Sequence, residues 1–192
     1  MKYNIASVIF SLLFFSCINQ EPTSSSSSDV FSMDSLITAQ INYLSGIKAS
    51  VNKQDTKEGS TLLDKLDSTQ WENQLQIFRE LSIDKPSIAA SYKTEIRKDS
   101  VSNLSILHYY TDNPKLEVTQ LNIYYLDQLS DVKKITAKRL SKSVVYSSSL
   151  DFLMKFRQMN GKSILSEYSI DGVQKTVSQD TVHTSLRAKI SL

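Results

Sequence analysis

The sequence predicts an α+β fold, in which two or three N-terminal helices pack on a curved antiparallel sheet of about six to eight strands. Apolar residues recur at three- and four-residue steps in the first part of the folded region and at every second residue afterwards. Short turn sequences, Asn160-Gly161 and Asp171-Gly172, separate alternating segments. Strands joined by such short turns are expected to be antiparallel.

The first predicted helix is marked by one apolar stripe that runs from Met33 to Val51. Ser32 or Asp34 is expected to cap its start, because a short side-chain oxygen accepts a hydrogen bond from a free amide there. A polar connection over residues 52–59 is predicted to follow.

A second helical stretch is predicted from Leu62 onward, with a restart after Asp67-Ser68. Thr69 and Glu72 have the spacing of a capping box, in which each side chain satisfies a backbone amide near the helix start. Pro86 is expected to end this stretch.

Seven segments whose apolar residues alternate are predicted as strands. They are Ile88–Lys98, Val101–Tyr110, Leu116–Leu126, Val132–Leu140, Leu150–Gln158, Ser163–Ile170 and Val173–Ile190, the last bent or split. In the first of them, Ile88, Tyr92 and Ile96 are expected to face inward. A sheet this wide is expected to curl around the helices. The element order is similar to cystatin-like and NTF2-like folds and to lipoprotein-carrier half-barrels, a likeness that gives no function.

The N-terminus has the parts of a secretory signal peptide, predicted over residues 1–16. Lys2 is followed by an apolar run from Ile5 to Phe15, which is too short to span a bilayer. Ser16 then stands directly before Cys17, the only cysteine of the chain. This segment resembles the bacterial lipobox, with Phe14 and Phe15 departing from its preferred residues. The resemblance implies cleavage before Cys17 and acylation of that cysteine by palmitate-like chains, which together form a permanent membrane anchor.

Residues 17–29 are predicted to be the lipidated cysteine and a flexible tether that contains five consecutive serines. Residues 30–192 are predicted to be a single α+β domain. Ile18 and Asn19 follow the cysteine, where some lipoproteins of the inner membrane carry an aspartate. The resemblance therefore implies a cell-envelope protein anchored to the outer membrane, on either its periplasmic or its surface side.

The composition excludes several classes of function. The formal net charge of +2 argues against electrostatic binding of nucleic acid. One cysteine and two histidines provide no metal-ligand cluster, and the four isolated glycines form no phosphate-binding loop. No cofactor is expected. We expect a non-catalytic binding or structural domain with a protein, glycan or lipid partner; the alternative is a hydrolase-like envelope enzyme whose cleft has no sequence signature.

Three strand residues, His108, Tyr110 and Tyr124, are candidates for ligand contact. His108 shares a predicted strand face with apolar neighbours, so a histidine with an ordinary hydrogen bond near the sheet margin is the favoured interpretation. Tyrosines are also common in strands for reasons of packing alone. His183 is expected on a solvated strand face.

Four Asp-Ser or Asp-Thr triplets resemble the acceptor of a bacterial general O-glycosylation system. The acceptor residues would be Ser35, Ser68, Ser100 and Thr181. Each triplet also has a local alternative, because Asp, Ser and Thr cap helices and initiate turns.

Overall fold

The computed structural model of the chain describes residues 30–56, 59–63, 65–177 and 179–192. The predicted signal peptide, Cys17 and the serine-rich tether lie outside these residues. The helices are α1 (Met33–Gly46), α2 (Ser68–Arg79) and the one-turn α3 (Pro86–Ala89). The strands are β1 (Ser50–Asp55), β2 (Gly59–Leu63), β3 (Lys93–Lys98), β4 (Ser105–Tyr110), β5 (Val118–Tyr125), β6 (Val132–Lys142), β7 (Tyr146–Met159), β8 (Lys162–Thr176) and β9 (Gln179–Ser191).

The strands form one antiparallel sheet in the order β2-β1-β9-β8-β7-β6-β5-β4-β3. The predicted α+β class and the antiparallel sheet are thereby confirmed. Among the described residues the sheet has nine strands, because β1 and β2 form an antiparallel pair where a helix end, a polar connection and a helix start were predicted. The pair joins the sheet through β1, which pairs with β9, more than 120 residues further along the chain. Local periodicity carries no information about such a distant partner.

Helix α1 starts as predicted, with the Ser32 side chain accepting a hydrogen bond from the Ser35 amide. The predicted box at Thr69 and Glu72 is wrong by two residues. Asp67 and Gln70 form the reciprocal capping pair at the start of α2, and Leu62 lies in β2 instead. An aspartate at the N-cap position offers an acceptor to the free helix amides and a favourable charge to the helix dipole.

Both longer helices pack on one face of the sheet. The Phe78 ring on α2 contacts Phe152 and Tyr168 edge-on, with centroid separations of 5.9 and 5.4 Å. On α1, the buried Gln40 donates to the Ser163 carbonyl and accepts from the Leu165 amide. The apolar cluster between the layers joins side chains from α1, α2 and the sheet, including Ile37, Leu44, Trp71, Leu75, Leu121, Ile123, Ile135 and Met154.

The prediction of one inward-facing strand over Ile88–Lys98 is wrong. Residues 86–89 form α3, and every residue of β3 is exposed, Ile96 to 71 %. Strand β3 is the last strand of the sheet and pairs only with β4 in the described structure. Alternating charged residues on an exposed edge are a common protection against pairing with other chains. The following segment is also shorter than predicted, since Val101 lies in the loop before β4.

The two predicted hairpin turns have different outcomes. Asn160 and Gly161 both adopt positive φ (50° and 74°) between β7 and β8, as a tight type I′ hairpin requires. Asp171-Gly172 is no turn: both residues lie within β8, and the chain reverses between Thr176 and Gln179 instead. The segment predicted over Val173–Ile190 is therefore the end of β8, a turn and β9.

Every described helix and strand, and the whole described core, lies between Met33 and Ser191. A chain that begins after the predicted signal segment therefore contains all of these described elements. Within the described ranges, no helix has the length and apolar character needed to cross a membrane.

Candidate binding surface

The sheet face opposite the helices is called the outer face here. Strand side chains alternate between faces, so the neighbours of core residues point to it. Leu121, Ala137, Phe152 and Ile170 lie opposite one another on β5 to β8 and are buried under the helices. The row beside them on the outer face is polar apart from one leucine, and consists of Asn122, Thr136, Leu153, Ser169 and Arg187.

A second row across the outer face, called the basic row, consists of Lys189, Glu167, Lys155 and Lys134. These residues lie directly opposite one another on β9, β8, β7 and β6. Lys155 donates to Glu167 at 2.7 Å, and the Lys134 ammonium lies 3.7 Å from the centroid of the Tyr124 ring. At the spacing of neighbouring strands, about 4.8 Å, the row is roughly 14 Å long. It carries three positive charges and one negative charge.

Lys134 and Lys155 are a like-charge pair at opposed positions of adjacent strands. Such pairs destabilise a sheet, by about 0.2–1 kcal/mol. Each ammonium is turned to a different neighbour, Lys155 to Glu167 and Lys134 to Tyr124, and this reduces the repulsion. A sheet position that costs stability in this way is a candidate for function.

The carboxylate of the basic row is held in its charged form. The hydrogen bond from Lys155 keeps the pKa of Glu167 below its usual range, and the positive charges of Lys189 and Arg157 act in the same direction. Glu167 therefore stays ionised at neutral pH. It neutralises Lys155, whereas Lys189 and Lys134 form no ion pair within the described part of the chain.

One end of the basic row lies in a groove of about 590 Å³ on β1, β9, β8 and β7. Its polar lining includes Asn52, Gln54, Lys155, Glu167, Arg187 and Lys189. Amides at one edge and three cations along the floor can hydrogen-bond hydroxyl groups and pair with acidic groups at the same time.

The three predicted contact residues also lie on the outer face, on β4 and β5. His108 Nδ1 is 2.5 Å from Asn122 Oδ1, and its ring stacks on Tyr110 with centroids 4.9 Å apart. Tyr110 donates to Glu95, and Tyr124 lies under Lys134. His108 and Tyr110 thus form one cluster. Tyr124 pairs with Ile106, two residues before His108 on β4.

His183 is exposed on β9, as predicted, and far from His108 on β4. It lines a depression of about 380 Å³ with Asp151 and Asp171, two carboxylates at opposed positions of β7 and β8. Asp171 accepts a hydrogen bond of 2.6 Å from Ser185. His183 makes no hydrogen bond to either carboxylate in the described structure, so no relay of acid and base is assembled.

The basic row and the Asp151–Asp171 pair were both missed from the sequence. Their members are separated by up to about 55 residues, and only the register of β6 to β9 brings them together. The signal that could have found them is the polar half of each alternating segment, once the hairpin registers are known.

The glycosylation candidates occupy different kinds of position. Ser35 lies in the first turn of α1, Ser68 begins α2, Ser100 lies in the loop after β3 and Thr181 lies in β9. All four are exposed. Among the described residues, no group of three or more His, Cys, Asp or Glu side chains could hold a metal ion.

No protein-family model, no curated protein and no solved structure matches this chain.

Proposed function

We propose that the chain is a lipid-anchored protein of the cell envelope whose domain binds an acidic polysaccharide on the outer face of its sheet. The observation that carries the binding proposal is the basic row, in which Lys189 and Lys134 form no ion pair with a described residue and which has a polar groove at one end. The anchor is the acylated Cys17, the outer membrane is its proposed location, and catalysis plays no part. The groove also supports the proposal that the sheet is curved.

The shape and chemistry of the surface favour a linear acidic chain over a neutral sugar. A neutral sugar ring usually stacks on an open aromatic face, whereas Lys134 already lies over the Tyr124 ring. Cations spaced along a straight row match a polymer whose acidic groups recur along its length. Asn52 and Gln54 at the edge of the groove would bind its hydroxyl groups.

The filled contact between helices and sheet disfavours a lipid-carrier function. A carrier needs an apolar cavity, but Trp71 and Phe78 on α2 and Ile37 on α1 are fully buried against the sheet. We therefore propose that the domain recognises its ligand on its surface and not in an internal cavity.

Binding is tested by calorimetry with oligogalacturonate as the probe and with a neutral dextran oligomer as the comparison. The protein is residues 17–192 with Cys17→Ser, which contains every described helix and strand and carries no lipid. We expect oligogalacturonate to bind, with an affinity that falls as salt is raised, and dextran not to bind. Absence of binding to the acidic probe, or equal binding of both, would overturn the proposal.

Two charge reversals test whether the basic row is the site. Lys189→Glu and Lys134→Glu are each expected to lower the affinity about tenfold or more, because an attraction becomes a repulsion. Lys115→Glu is the matched control, since Lys115 is exposed in the loop between β4 and β5. An equal loss in the control would show that net charge, rather than the row, binds the probe.

The anchor is tested separately in a bacterial host. Cys17→Ala should give an unlipidated protein that is soluble or uncleaved, whereas the parent chain should partition into detergent with a mass increased by acyl chains. A Cys17→Ala protein that stays membrane-bound with an unchanged mature mass would show that the lipoprotein proposal is wrong.

The alternative, an envelope hydrolase, is favoured by one observation, the opposed carboxylates Asp151 and Asp171 beside His183. Two nearby carboxylates are the catalytic pair of most glycosidases. If the domain is an enzyme, incubation with oligogalacturonate should shorten the probe, and Asp171→Asn should abolish this. Binding without any change in probe length supports the non-catalytic proposal.

A further inference from the structure

Two neighbouring turns at one end of the sheet expose valines to solvent. Val144 and Val145 lie in the turn between β6 and β7, and Val177 lies in the turn between β8 and β9. Their exposed fractions are 96 %, 63 % and 79 %. The Val177 amide donates to the Val145 carbonyl at 3.2 Å, which joins the turns into one projection. These three residues are called the valine tips.

Valine is an unusual residue for these positions. Tight turns favour Gly, Asn, Asp, Ser and Pro, each of which suits the turn backbone or bonds to it. The turn at the opposite end of the β7–β8 pair follows this rule with Asn160-Gly161. Large exposed apolar side chains grouped at one place indicate a contact surface rather than chance exposure.

Polar and basic residues border the valine tips on the side of the domain. Lys142 and Lys175 are exposed on the adjoining strand ends, and Tyr146 begins β7. Asp180, exposed near the start of β9, is the nearest carboxylate in sequence to Val177. Proteins that contact a membrane commonly place apolar residues in the lipid and lysine or tyrosine at the lipid–water interface. The valine tips and the residues that border them have this arrangement.

We propose that the valine tips insert into the headgroup region of a lipid bilayer and so orient the domain on the membrane. Three valines offer much less area than the roughly 1,000 Å² that a specific protein interface needs, so a second copy or another protein would be held poorly. A bilayer imposes no such minimum. Apolar insertion and the attraction of Lys142 and Lys175 to anionic headgroups add to each other.

The geometry allows the tips and the anchor to reach the same membrane, a point that rests on the proposed acylation of Cys17. The Phe31 amide is held by the Tyr109 hydroxyl, and Tyr109 lies in the row of Phe152. Phe152 is six residues from Tyr146 along β7, which corresponds to about 20 Å. A tether of about a dozen residues, as predicted from the sequence, would reach roughly 20 Å as a coil and about 40 Å when extended.

Insertion is tested without the anchor, so that its failure is distinct from failure of the lipoprotein or polysaccharide proposals. Residues 17–192 with Cys17→Ser are sedimented with vesicles of phosphatidylcholine alone or mixed with phosphatidylglycerol. We expect the protein to sediment with both, and more strongly with the anionic mixture. A protein that stays in the supernatant with both overturns the proposal.

The variant that tests the site is V144S combined with V145S. It should lower the vesicle partition coefficient about tenfold or more, since two apolar side chains no longer leave water. Val101→Ser is the matched control, because Val101 is 92 % exposed in the loop before β4, away from the tips. Equal partitioning of all three proteins would overturn the proposal. So would a dimer of the parent protein, seen by analytical ultracentrifugation, that is absent only in the double variant.

Discussion

Gly172 and Leu150 face each other across the β7–β8 pairing, so closely that a Cβ on Gly172 would lie 2.4 Å from Leu150 Cδ2. It would also lie 2.6 Å from the Ser149 carbonyl oxygen. The leucine end could rotate away, but the carbonyl belongs to the strand backbone and has little freedom. Gly172 is therefore required by a close approach of two strands, not by a turn.

Gly172→Ala is expected to destabilise the fold by about 1–3 kcal/mol, the usual cost of forcing a methyl group into a packed contact. Gly46→Ala is the matched control, because Gly46 ends α1 and a Cβ added there would have no neighbouring atom within 4 Å. There alanine should be neutral or stabilise by up to about 1 kcal/mol. Urea unfolding of both variants measures the difference, and equal stability of the two would contradict the close approach.

Gly161 and Gly172 together show how far turn sequences predict a fold. Asn160-Gly161 and Asp171-Gly172 are equally good hairpin signals, yet only the first is a turn. Glycine serves two purposes, a left-handed backbone and the absence of a side chain, and a dipeptide does not distinguish them. The segments predicted as strands on either side of Asn160-Gly161 do lie in β7 and β8, whereas the strand predicted after Asp171-Gly172 begins as the end of β8.

Gln40 is predicted to be a main link between α1 and the sheet. Its side-chain amide hydrogen-bonds the Ser163 carbonyl and the Leu165 amide. These backbone groups lie in the part of β8 that does not pair with β9, so Gln40 replaces the missing strand neighbour. Gln40→Leu would leave a buried amide and a buried carbonyl without partners, at a cost of about 2–4 kcal/mol. Hydrogen exchange of the Leu165 amide should accelerate in this variant.

Asn42→Ala is the control for this link, because Asn42 is exposed on the same helix, two residues after Gln40. It should change stability by no more than about 0.5 kcal/mol. If Gln40→Leu is equally harmless, the amide does not hold the helix to the sheet.

Helix α1 could be predicted from its apolar stripe, but not the role of Gln40. Gln40 lies next to the apolar Ile41. The sequence does not indicate which groups a polar side chain at that position would hydrogen-bond. The basic row has the same character: Lys134 and Lys155 are ordinary solvated lysines until the β6–β7 register places them side by side. A single sequence shows which residues of a segment are buried, because burial follows the local alternation of apolar residues. It does not show which strands lie side by side, and therefore does not reveal a site that forms only through strand register.

The stability of the helix pair is predicted to fall in acid. Arg79 donates two hydrogen bonds to Glu72, at 2.8 and 3.0 Å, and also binds Asp34 and Thr38 on α1. The hydrogen bond from Arg79 holds the pKa of Glu72 below its usual range. A carboxyl whose pKa is lower in the folded state contributes stability above its unfolded pKa, about 4.3, and loses it as pH falls through the folded value.

This dependence is measured by urea unfolding between neutral pH and about pH 3. The free energy of unfolding should decline below about pH 5, and Glu72→Gln should make the decline shallower. Glu117 and Glu167, whose pKa values are also lowered, chiefly by hydrogen bonds from Ser141 and Lys155, contribute to the remaining slope. An unchanged slope in Glu72→Gln would mean that Arg79 does not stabilise the charged carboxylate.

The edge position of β3 is tested by one pair of equivalent truncations. Ile96 alternates with charged residues just as a half-buried strand residue would, and by sequence alone it is a core candidate; in the structure it is 71 % exposed. Ile96→Ala should therefore cost no more than about 0.5 kcal/mol. Ile123→Ala is the same change at a residue with no exposed surface on β5, which has a neighbouring strand on each side, and it should cost about 2–5 kcal/mol. Truncation of an isoleucine lowers stability strongly only where the side chain is packed on all sides. A large loss of stability in Ile96→Ala would therefore mean that another layer covers the edge strand.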